Sequence, residues 1–182
     1  VMELVNDQYQ IQGVSMQSIA TEFGTPVYVY DAEKIKSQLG ILSTAFSNVN
    51  LKIKYAAKSL TNISILKLLR SFGSELDCVS IQEVEMGLMA GFKPQEILFT
   101  PSGVALDEID LAVEKGININ LDSLSILNQF GKKYGATYPV GLRLNPHVMA
   151  GGNEKISTGH ENSKFGISIK QLDEIIDCSN QH

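Results

Sequence analysis

The sequence predicts an α/β fold, part of a (β/α)8 barrel, on three observations. Short β-rich runs alternate with segments whose apolar residues recur at helical spacing. No G-x-G-x-x-G or G-x-x-x-x-G-K-[ST] fingerprint follows a strand, as a doubly wound nucleotide-binding sheet would show. Lys58, Asp77, Asp122 and Arg143 each fall near the C-terminal end of a different strand, which is where a barrel places its functional groups.

Residues 1–31 read as a lead-in, and Thr25–Asp31 (TPVYVYD), β-branched and aromatic, is the first candidate strand. The barrel unit is expected over residues 32–182. Its strand candidates are Lys52–Ala57, Glu75–Ser80, Ile97–Thr100, Ile117–Asp122 and Pro139–Asn145. Between them, Ile63/Leu66/Leu69, Val84/Leu88/Met89, Ile109/Val113 and Leu124/Leu127 mark helices. Ser80-x-x-Glu83 is a capping box, and Asn62, Asp107 and Ser123 are candidate caps of the same kind. Gly73, Gly91, Gly116 and Gly135 stand where helices would close through a left-handed residue. A helix-like Lys170–Cys178 ends the pattern. These runs supply about five of the eight strands that close a barrel. The chain is therefore expected to be a fragment, or to complete its sheet by association, because open strand edges are left uncovered.

Composition narrows the class. The 182 residues are 43% hydrophobic and 19% charged, a globular balance. A net charge of -5 and pI near 5.2, with no basic stripe, argue against nucleic acid as a partner. No apolar run is long enough for a membrane span or a signal peptide. Cys78 and Cys178 are too few and too far apart for a zinc ribbon or a disulfide framework, and no HExxH or CxxC occurs, so no metal site is expected. A cytoplasmic location follows as the expectation.

The ionic residues at strand ends carry the chemistry. Lys58, in YAAKSLTN, is either a surface charge or an amine able to form a Schiff base with a carbonyl. Strict alternation puts Lys52 and Lys54 on its face, so Lys58 must lie beyond the pleat, or Lys54 must find a partner or solvent. Asp77 in ELDCVS needs a cation or hydrogen bonds, through a structural salt bridge or as the charge partner of a Schiff-base nitrogen. Arg143 must meet an anion, either Asp122 on the adjacent strand or a bound phenolate or phosphate. The irregular Pro146–Phe165 segment offers His160 and Lys164 for acid–base or anion contacts, or as solvated loop residues.

Taken together, YAAK, ELDCVS, NINLDS, LRLNP and STGHENSKFGI resemble the fold-type III PLP-dependent decarboxylases, whose barrel is of the alanine racemase type. The likeness runs from about Thr25 to Ile167, and STGHENSKFG is most similar to the branch that converts meso-diaminopimelate to lysine. It implies pyridoxal 5'-phosphate as cofactor, an amino acid as substrate and a homodimer when full length. It implies that Lys58 holds the cofactor covalently, with Asp77 beside the Schiff base and Arg143 on the same side of the cofactor. His160 and Lys164 belong to the loop near the active site. Two departures stand out: Ser59-Leu60 where the family commonly has Ala-Asn, and Ile81-Gln82 before Glu83 where it has Gly-Gly. The resemblance further implies a ring-stacking histidine, a glycine-rich phosphate loop, a glutamate for the pyridine nitrogen and a C-terminal β-domain. None is found within residues 1–182, so the chain by itself is expected to be inactive. The alternatives are a decarboxylase for carboxynorspermidine, ornithine or arginine, a non-catalytic PLP-binding barrel, or an inactive assembly fragment.

Overall fold

The computed structural model describes residues 2–149, 158–161 and 163–182. The chain opens with an antiparallel meander of β1 (Glu3–Val5), β2 (Gln8–Ile11) and β3 (Val14–Ser15). Ser15 then caps α1 (Met16–Phe23), its hydroxyl accepting from the Gln17 amide at 3.2 Å. Asp31 caps α2 (Ala32–Ala45) in the same way, accepting from the Lys34 amide at 3.0 Å. Between these helices the predicted strand Thr25–Asp31 is not formed. The segment pairs with no described strand, and Tyr28 is 89% exposed. β-propensity records a fit to a pleated, half-buried surface, and without a neighbouring strand it has nothing to act on.

The repeating units follow. They are β4 (Lys54–Ala56) and α3 (Ile63–Ser71), β5 (Glu75–Cys78) and α4 (Ile81–Met89), and β6 (Ile97–Phe99) and α5 (Leu106–Glu114). Next are β7 (Asn118–Leu121) and α6 (Leu124–Tyr134), then β8 (Val140–Leu142). All five strands are parallel, and each is bonded to the next in the order β4-β5-β6-β7-β8. A doubly wound sheet reverses its order at a switch point, whereas this one advances in one direction, as a barrel does.

A sixth parallel strand escapes the sequence reading. β9 (Leu144–Asn145) continues from β8 and pairs with β10 (Ile167–Ser168), which precedes α7 (Leu172–Gln181). Arg143 is the joint: its amide donates to the Leu121 carbonyl at 2.8 Å, and its carbonyl accepts from the Ile167 amide at 2.8 Å. One extended run, 140–145, thus serves two neighbours. Two residues are too short a run for periodicity to reveal β10.

Alternation divides the sheet into two faces. Leu76, Cys78, Ile97, Phe99, Ile119 and Leu121 are buried under the helices, against Leu66, Val84, Ile109, Leu127 and Phe130. Truncation of a side chain such as Leu76 or Phe99 to alanine is expected to cost about 2–5 kcal/mol. The opposite face carries Glu75, Asp77, Leu98, Asn120 and Gly141 on adjoining strands. There Lys54 and Lys52 (3.1 Å for the latter) both pair with Glu75, which gives Lys54 the partner that alternation requires.

The caps at Asn62 and Ser123 form as predicted, to Ser64 and Ile65 and to Ile126. Two others differ. In the capping box Ser80 accepts from Glu83, but the Glu83 carboxylate returns to the amide of Val79 at 2.8 Å. Asp107 lies inside the first turn of α5 and accepts from Glu108, while Ala105 takes the cap position. The four helix-closing glycines all have positive φ. Residues 150–157 and 162, within the predicted irregular segment, lie outside the described residues.

Candidate cofactor site at the strand ends

A cavity of about 470 Å³ opens at the C-terminal ends of the parallel strands, with Lys58, Asp77 and Arg143 in its wall. Each arrives from a different strand. Lys58 sits in a single 3₁₀ turn, Ala57–Ser59, directly after β4. Ala57 is fully buried and Lys58 exposed, so the lysine leaves the pleat at the point where the chain turns. Both conditions set by the alternation are met: Lys58 is beyond the strand, and Lys54 is paired with Glu75.

Asp77 forms no ion pair among the described residues. Its Oδ1 accepts a hydrogen bond from the Thr100 hydroxyl at 2.8 Å. Arg143 likewise has no ion pair among the described residues. The suggested bond to Asp122 is not made, and Asp122 lines a separate, smaller cavity with Leu121 and Ile126. The guanidinium instead lies over Phe165, with Cζ 4.5 Å from the ring centroid, a cation–π arrangement that leaves its N–H edges for other acceptors.

Gly166 makes that stacking possible. Its φ is +81°, and a Cβ there would stand 2.9 Å from the Asn145 amide nitrogen and 3.1 Å from the Arg143 carbonyl oxygen. The Lys164-Phe165-Gly166 run therefore needs glycine at its third position, where the backbone crosses β9 at close range.

His160 and Lys164 are not in the cavity wall. His160 contributes its carbonyl, which accepts from the Nδ2 of buried Asn145 at 3.1 Å. Lys164 is exposed, with Nζ 5.2 Å from the Phe165 ring. The sequence reading missed Thr100, Ser102, Asn120 and Thr158, which also line the cavity. A parity signal existed for two of them: Thr100 follows Leu98 by two, and Asn120 follows Asn118 by two, on the face that carries Asp77. The departures at Ser59-Leu60 and Ile81-Gln82 do not line the cavity. An amine, a carboxylate, a guanidinium and several hydroxyls facing one space can condense with a carbonyl, balance a cationic nitrogen and bind an anion.

The strand order is that of a barrel, and a donor set of this kind suits an anionic carbonyl cofactor. The pyridoxal-dependent decarboxylase family, pyridoxal binding domain, matches residues 32–182, and the chain belongs to that family. The chain is 37% identical over 175 residues to the diaminopimelate decarboxylase of Methanothermobacter thermautotrophicus, covering 94% of this chain and 41% of that protein. With the Staphylococcus aureus diaminopimelate decarboxylase it shares 39% identity over 168 residues, covering 91% and 40%. The crystal structure of the M. jannaschii diaminopimelate decarboxylase in co-complex with L-lysine matches with a TM-score of 0.87 at 29% identity, over 100% of this chain and 44% of that one. The chain thus spans about 40% of the length of the curated relatives it matches. The fold is the α/β barrel of the fold-type III PLP-dependent decarboxylases, represented in part.

Proposed function

We propose that the full-length protein decarboxylates meso-diaminopimelate to L-lysine with pyridoxal 5'-phosphate held covalently on Lys58. The observation that carries this reading is the convergence of Lys58, Asp77 and Arg143 on one cavity from three strand ends. The residues fit the cofactor. Lys58 would take its aldehyde, Asp77 would face the cationic nitrogen, and Arg143 would meet a phenolate or phosphate oxygen. When bound, the cofactor supplies an electron sink for the electrons left by departing CO2. The chain's own residues bind and orient. Phe165 holds the guanidinium from one side, Thr100 holds the carboxylate, and the turn after Ala57 presents the amine. His160 and Lys164 are not in the cavity wall, and a supporting role in the site is assigned to both on the likeness of the STGHENSKFG stretch.

The choice of meso-diaminopimelate rests on the relatives named above. The pyridoxal-binding unit is taken as residues 32–182, with 1–31 as a lead-in. A homodimer is part of the same reading. No helix among the described residues is long and apolar enough to cross a membrane. Both cysteines are free thiols, as a reducing compartment keeps them, and we place the protein in the cytoplasm.

The test is borohydride reduction of the full-length protein incubated with pyridoxal phosphate, followed by peptide mapping, with CO2 release measured from meso-diaminopimelate, ornithine and arginine. Label on Lys58 and preference for meso-diaminopimelate are expected. Label on Lys52 or Lys54 would overturn the anchor assignment, and faster turnover of ornithine or arginine the substrate.

A further inference from the structure

Asp77 is bonded from one side only. Its Oδ1 accepts from Thr100 at 2.8 Å, and no other hydrogen bond to the carboxylate is formed among the described residues. Thr100 is itself pinned. Its amide donates to the Cys78 carbonyl at 2.7 Å, extending the β5–β6 ladder one residue past Phe99. That bond fixes the threonine backbone beside the strand that carries Asp77. The Thr100 hydroxyl has one proton and two acceptors in reach, Asp77 Oδ1 at 2.8 Å and the Cys78 carbonyl at 3.3 Å. A charged acceptor at the shorter distance takes it. Both side chains line the cavity.

We infer that Thr100 is a positioning residue for Asp77. It ties down Oδ1, fixes the plane of the carboxylate, and leaves Oδ2 to face a cationic nitrogen in the cavity. Geometry supports this over a packing role. The hydroxyl of Thr100 makes the specific contact, and the contact is to the single carboxylate among the described cavity residues. The inference rests on the functional reading above for the identity of the cation, though the Thr100–Asp77 bond itself does not.

The experiment compares Thr100→Val, which keeps the shape and removes the hydroxyl, with Thr100→Ser, which restores it. The pH titration of the visible absorbance of the cofactor–Lys58 adduct is read in each. Thr100→Val is expected to lower the midpoint by about one pH unit, because a carboxylate free to turn away stabilises the cation less. Thr100→Ser is expected to return it to the unmodified value. An unchanged midpoint in Thr100→Val overturns the inference while leaving the Lys58 assignment intact. If Lys58 acquires no cofactor at all in the full-length protein, the functional reading fails separately, and the bond is judged in the cofactor-free chain. There the side-chain carboxyl ¹³C resonance of Asp77 should move in Thr100→Val and not in Thr100→Ser, and an unmoved resonance overturns the inference. Circular dichroism of each variant confirms that the fold is retained.

Discussion

Lys58 owes its place to the residue before it. Ala57 is small and fully buried, and it turns the chain so that the next side chain stands at the cavity rather than in the core. Lys58→Arg keeps the charge and removes the amine that can condense with a carbonyl, so borohydride should fix no cofactor in that variant while thermal stability is unchanged. The two cysteines separate at the same scale. Burial, with smaller contributions from Glu83 and Asp77, pushes the Cys78 thiol up to about 12. Iodoacetamide acts on thiolates, so at pH 8 it should label Cys178 in the native protein and reach Cys78 only after unfolding, as read by mass spectrometry.

At the scale of elements, the glycines test the backbone argument with opposite signs. Gly166→Ala places a methyl group into the backbone of Arg143 and Asn145 at a left-handed φ. A loss of about 2 kcal/mol or more is expected in urea unfolding, together with loss of the Arg143–Phe165 stacking. Gly40 lies in the exposed middle of α2, with nothing within 4 Å of a Cβ. Gly40→Ala should therefore stabilise by about 0.5–1 kcal/mol. The helices and their caps were largely legible, because a serine or asparagine cap acts within three residues of itself. The miss at Asp107 has the same origin, since an acidic residue also suits the first turn of a helix and spacing alone does not separate the two positions. TPVYVYD failed for a different reason: a strand is a property of two segments, and only one was in view.

Across the whole molecule, the polar floor of the sheet makes stability depend on pH. Burial tends to raise the Glu75 pKa, but bonds from Lys54 and Lys52 outweigh it and hold the carboxyl below its ordinary value of 4.5. A lowered folded value means that the contribution is complete above 4.5 and is lost as pH falls through the folded value. The stability difference between the parent protein and Glu75→Gln should thus be constant from neutral pH down to about 4.5 and shrink below it, as followed by urea midpoints at a series of pH values. The sequence by itself determined the β-α alternation, most helix ends and the three ionic residues of the cavity wall. Each of these is set by side chains a few residues apart, or by motifs short enough to be recognised intact. Only the tertiary structure decided that residues 140–145 serve two neighbouring strands, that β10 exists, and that Thr100 bonds to Asp77. Those facts depend on inter-strand register, which joins residues some twenty positions apart and is fixed only when the helices close over the buried face of the sheet.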